Sequence, residues 1–139
     1  MIDSCSENFY EASKIHWETH SMGLGTKIFT HEAVWLIVHC RNCGRNMDLT
    51  CELSTSGKNM RWGYYQKYCL RRASKEFEPR LSYNKIKKVY DEMFQFYDLI
   101  FFNCLSWAKK FYERLTIGFR LPLHSFDPTL LLYKVIHSE

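Results

Sequence analysis

The Asn-Cys pair at residues 103 and 104, in "YDLIFFNCLSWAKKFYERLTIG", stands between a run of large apolar residues and an amphipathic helical pattern. Asparagine is a preferred N-cap, because its side-chain oxygen accepts from the first-turn amides, and this puts Cys104 at the first helical position. Unpaired amides and the positive end of the helix dipole favour a thiolate there, and the thiolate is the reactive form of cysteine. The plain alternative is a small apolar cysteine on a packed helix face. A thiol nucleophile draws on a base, and two histidines stand in "KIHWETHSMGLGTKIFTHE". His16 falls on one strand and His31 on the strand that returns after a glycine-bearing turn.

The elements that must hold these residues follow from the periodicities. Residues 14–53 are rich in β-branched and aromatic residues and predict an antiparallel pair followed by a buried strand. From Ser82, an N-cap, the period turns helical, with Ile86, Val89, Tyr90, Met93, Tyr97 and Ile100 at three-four spacing. A second helix follows Asn103, with Leu105, Ala108, Phe111, Tyr112 and Leu115 on one side and Gly118 as its stop. Strands first and helices second predict an α+β fold, a small antiparallel sheet packed with helices. The 139 residues, 46% hydrophobic and 17% aromatic, suffice for one domain over 1–139 with a proper core.

The opening "MIDSCSENFYEASK" has no apolar leader segment, and no stretch approaches the roughly 18 apolar residues of a spanning helix. The expectation is a protein of the reducing cytosol, not secreted, whose six cysteines (Cys5, Cys40, Cys43, Cys51, Cys69, Cys104) are thiols rather than a disulfide framework. Cys40-x2-Cys43 has zinc-ligand spacing, but Cys51 and Cys69 lie far apart in the chain, so neither a metal site nor a cofactor is predicted.

A His-Trp strand, a Gly-x-Gly turn and a second strand reaching His31, all ahead of an Asn-Cys helix, resemble the H-box/NC family. These are circularly permuted relatives of the papain-like NlpC/P60 fold. They include lecithin:retinol acyltransferase, the small phospholipase A/acyltransferases and a class of picornavirus 2A proteins. The resemblance covers most of residues 15–118. It implies a permuted papain-like core in which His16 is the base, Cys104 the acyl-accepting nucleophile, and a polar residue on the next strand, His31 or His39, orients the imidazole. It places His16 within a few ångströms of the Cys104 sulfur. Within the family the resemblance is to the 2A proteins of parechovirus- and kobuvirus-like viruses. That implies a role in genome replication in the host cytoplasm at replication membranes, with RNA, host proteins and other viral replication proteins as partners. A thiol acyltransferase or hydrolase is the second reading. The "HWETH" segment, which adds Glu18 and His20, and the aromatic "LIFF" before Asn103 depart from the acyltransferase pattern.

Residues 58–88 hold ten cations, Lys58, Arg61, Lys67, Arg71, Arg72, Lys75, Arg80, Lys85, Lys87 and Lys88, against two acids, while the whole chain carries only +4. Interleaved with Tyr64 and Tyr65, they read as a surface that neutralises phosphates and stacks unpaired RNA bases. A solvated loop and helix face, or peripheral contact with anionic lipid, are the alternatives. The apolar run "LLLYKVI" in the tail reads as a packed element or a self-association surface for a homo-oligomer.

Overall fold

The computed structural model describes residues 6–21, 30–65, 69–95 and 103–117. β1 (Tyr10–Ser21) and β2 (Thr30–Cys40) form the long antiparallel pair read from the sequence, and β3 (Asn46–Ser54) and β4 (Gly57–Trp62) continue it as a meander. β5 (Cys69–Ser82) returns to the free side of β1, which gives the order β4-β3-β2-β1-β5 with every neighbour antiparallel. The α+β arrangement predicted from the sequence is therefore present. Most of segment 58–88 forms β4, β5 and a helix, so its largely exposed cations stand on strands as well as on a helix face.

Alternation fixes which face is covered. The register lines Ile15, Leu36 and Leu49 across three strands, and all three are fully buried. Val34, Val38, Cys51 and Leu53 extend that layer on the same strand faces. Two helices close over it. α1 (Tyr83–Glu92) starts at Ser82, whose hydroxyl accepts from the Lys85 amide at 3.3 Å, and buries Tyr83, Ile86 and Val89. It stops earlier than the spacing suggested. Met93 is extended, and Lys58 Nζ donates to the carbonyls of Tyr90, Asp91 and Met93 at 2.9–3.0 Å, satisfying the helix end from β4. Tyr97, Ile100 and Gly118 lie outside the described residues, as do the Gly-x-Gly turn, the "LIFF" segment and the tail.

α2 (Cys104–Thr116) begins where expected, and its buried stripe follows the one read in the sequence except at Leu105. Trp107, Ala108, Phe111 and Leu115 enter the core, whereas Leu105 is exposed. Trp107 is fully buried, stacks on Phe111 at 4.9 Å and donates its indole N–H to the Phe94 carbonyl at 3.1 Å. Trp107→Ala is expected to lower the unfolding free energy by about 3–5 kcal/mol, read from a urea titration, because it empties the centre of this layer.

The other face of the sheet is crossed by the chain leaving β4. Gly63 starts the crossing at φ 121°, a conformation that favours glycine, and a side chain there would collide with the Tyr65 ring. Thr50 anchors it by donating to the Gly63 carbonyl at 2.6 Å. Tyr64 then stacks on Trp35 of β2 at 4.1 Å between ring centres and donates to Glu18 of β1 at 2.9 Å.

Candidate active site

Asn103 caps α2 through a reciprocal pair of bonds. Its Oδ1 accepts from the Ser106 amide at 3.0 Å, and Ser106 Oγ accepts from the Asn103 amide at 3.1 Å. The cap fixes Cys104 at the helix start, as the sequence predicted. Cys104 is buried, yet it is not part of the apolar cluster that takes in the rest of its helix face. Its neighbour is polar. The imidazole of His31, at the start of β2, lies within hydrogen-bonding reach of the thiol.

His31 is held from its other side. Its Nε2 donates to Glu52 Oε1 at 2.5 Å, and Arg61 Nη2 donates to the second oxygen of the same carboxylate at 3.2 Å. Glu52 stands on the next strand, opposite Ala33, and His31 lies two residues before Ala33 and so on the same strand face. The Arg61 guanidinium rests in turn on the Tyr65 ring, 3.7 Å from its centre.

The electrostatics follow this order of contacts. Hydrogen bonds from the Cys104 sulfur and then from Glu52 push His31 up to about 9, against the opposing pull of burial. Burial works to raise Glu52, but His31 and Arg61 outweigh it and hold the carboxyl below its ordinary value. Nucleophile, imidazole and orienting carboxylate stand in series, the arrangement that activates a thiol for covalent catalysis.

The structure brings Cys104 and His31 together and does not bring His16 to them. His16 lies opposite Trp35 in the β1–β2 ladder, four residues along the strand from His31, which is about 13 Å at 3.3 Å per residue. Its ring packs on Trp35 at 4.7 Å, and its Nδ1 is hydrogen-bonded to Ser74 Oγ at 2.8 Å. Burial and the nearby Arg71 lower its basicity. His31 therefore takes the place expected of His16, and Glu52 the orienting place expected of His31 or His39. His39 is at the far end of β2, bonded to Ser13 and Asn46. Glu52 was missed, although the rule of a polar residue on the strand after the base finds it once the base is His31.

The basic stretch is largely engaged within the chain. Lys58 closes α1, Arg61 holds Glu52, Lys75 donates to the Thr116 carbonyl at 3.1 Å, and Arg80 pairs loosely with Glu11 at 3.7 Å. Arg71 and Arg72 pair with Glu18 and Glu32 at 3.1 and 2.9 Å, two carboxylates on β1 and β2 that are almost wholly buried. Tyr64 donates to Glu18 and Tyr65 to the Trp62 carbonyl. Lys85, Lys87 and Lys88 are exposed on α1, and Lys67 lies outside the described residues. Arg71→Gln is expected to cost about 1–3 kcal/mol in urea unfolding, because it strips a charged partner from a buried carboxylate.

Cys43 is disulfide-bonded, whereas Cys40, Cys51 and Cys104 are free. This corrects the expectation of thiols throughout, and it removes Cys40 and Cys43 as a pair of thiolate ligands for zinc. A core large enough to do without staples does not forbid one. No group of three or more metal-ligating side chains occurs among the described residues, and no helix among them is long and apolar enough to cross a membrane.

The described residues thus form an α+β domain with a cysteine, a histidine and a glutamate in series at the start of its second helix. A scan against protein-family models, a search of curated proteins and a search of solved structures each give no match to this chain.

Proposed function

We propose that the protein is a cysteine-dependent acyltransferase or hydrolase in which Cys104 is the nucleophile, His31 the base and Glu52 the orienting carboxylate. The observation that carries this reading is the imidazole of His31 held between the Cys104 thiol and the Glu52 carboxylate. His31, raised to about 9, already carries its proton at neutral pH and pairs with the sulfur, which attacks the carbonyl carbon of an ester or thioester. The imidazolium, balanced by Glu52, then gives that proton to the departing alcohol or thiol as the acyl bond breaks, leaving a thioester on Cys104. Water or a second nucleophile, deprotonated by His31, releases the acyl group. The oxyanion of each step forms at a helix start, where first-turn N–H groups and the dipole favour negative charge.

The chain order, with base and orienting strands ahead of the nucleophile helix, supports a permuted papain-like core. Under the 2A-like reading the same fold would serve genome replication through RNA and host contacts. The number of cations tied to partners inside the chain favours the enzymatic reading.

The test is incubation of the protein with an activated acyl ester, followed by peptide mapping. The expected adduct is a thioester on Cys104 and not on Cys40 or Cys51. Absence of acylation at Cys104, or labelling spread evenly over the thiols, rejects the assignment.

A further inference from the structure

At the opposite end of β2, far from Cys104, a second nucleophile, base and orienting group stand in line. Ser13 Oγ and His39 Nε2 are 2.6 Å apart, and His39 Nδ1 is hydrogen-bonded to Asn46 Oδ1 on β3. An amide oxygen can only accept, so the imidazole proton sits on Nδ1 and the Nε2 lone pair receives the Ser13 hydroxyl proton. This is the tautomer that a serine nucleophile requires of its base.

The backbone at Ser13 is also out of the ordinary. Both ladders of β1, toward β2 and toward β5, shift register between Ala12 and Lys14, so Ser13 pairs with a residue on neither side. A bulge of this kind re-aims a side chain out of the alternation, and bulges recur beside active sites. Ser13 and His39 are half buried and Asn46 is exposed, so the group lies near the surface of the sheet.

We infer that Ser13, His39 and Asn46 form a second acyl-transfer site that takes carboxylic esters, independent of Cys104. In its first step Ser13 Oγ bonds to the ester carbonyl carbon and its proton moves to His39 Nε2. The ester C–O bond then breaks as His39 returns the proton to the alkoxide, and water hydrolyses the acyl-serine by the reverse proton path.

A fluorophosphonate probe tests this, since serine attack on phosphorus expels fluoride and leaves a stable adduct. The full chain carrying Cys104→Ala is treated with the probe and mapped by mass spectrometry, so that the result does not depend on the thiol site. The adduct is expected on Ser13. Its rate should fall about a hundredfold in His39→Gln, the loss typical of a missing general base. It should rise in Asn46→Asp, because a carboxylate accepts the same Nδ1 proton and stabilises the imidazolium better than an amide. A purely structural serine–histidine bond would show no such rise. No adduct at Ser13 in the folded protein, or a rate indifferent to His39→Gln, overturns the inference.

Discussion

Replacing His31 by alanine is expected to slow acylation of Cys104 by an activated ester about 10²- to 10⁴-fold, the range over which a positioned general base contributes. Replacing His16 by alanine should leave the rate where it was. The contrast is sharp because both histidines lie on adjacent strands of one hairpin, yet only His31 is in hydrogen-bonding reach of the sulfur, while His16 is occupied by Ser74 and Trp35. Glu52→Gln should fall between the two. It preserves an acceptor for Nε2–H but removes the charge that balances the imidazolium. Stopped-flow acylation of the three variants gives the ranking, and a defect in His16→Ala as large as in His31→Ala would move the base to β1.

The second large effect is in titration. His31 should titrate near 9 in the native protein. Its upward shift has two sources, the sulfur first and the carboxylate second, and burial alone opposes them. In the Cys104→Ala, Glu52→Gln double variant both of these upward causes are gone while burial still acts, and the His31 value should fall well below 9. An NMR titration of the imidazole protons follows both. The same shift sets a pH dependence of stability. Because the folded value lies above the unfolded one, protonated His31 favours the folded state. That contribution is fully present below about pH 6.5 and is lost as pH rises through about 9. The urea midpoint of the native protein should therefore decline across that window, and the midpoint of the double variant should lose this decline. A His31 titration unchanged by the double substitution would mean that neither partner acts on it.

What the sequence disclosed follows the range of each signal. The Asn103 cap and Cys104 at the helix start are local, carried by two neighbouring residues, and they were legible. So was the β1–β2 pair, since its apolar alternation is long and clean. Which histidine meets the thiol depends on how far along β1 and β2 the helix start lands, a tertiary distance that spacing in the chain does not contain. The His-Trp motif pointed one strand too early, and with it the orienting residue moved from Glu52 to His31. β5 was hidden for another reason. Leu70, Ala73, Phe77 and Leu81 do not alternate strictly, because the ladder slips twice along β1, and the surrounding charge masked what remained. On α2, Ala108, Phe111 and Leu115 are buried as the spacing indicates, and only Leu105 departs, being apolar yet exposed.

The place of β5 at one end of the sheet gives its cations a different meaning. Among the described residues no strand pairs with the outer side of β5, which is fourteen residues long, and an open strand side is a template on which a second molecule can add a strand. Arg71, Arg72, Lys75 and Arg80 punctuate β5, and Pro79 interrupts it where no donor is available. Charge and proline along an open strand act as gatekeepers against intermolecular β-pairing. Neutralising Arg71, Arg72, Lys75 and Arg80 is therefore expected to promote fibrillar or amorphous self-association.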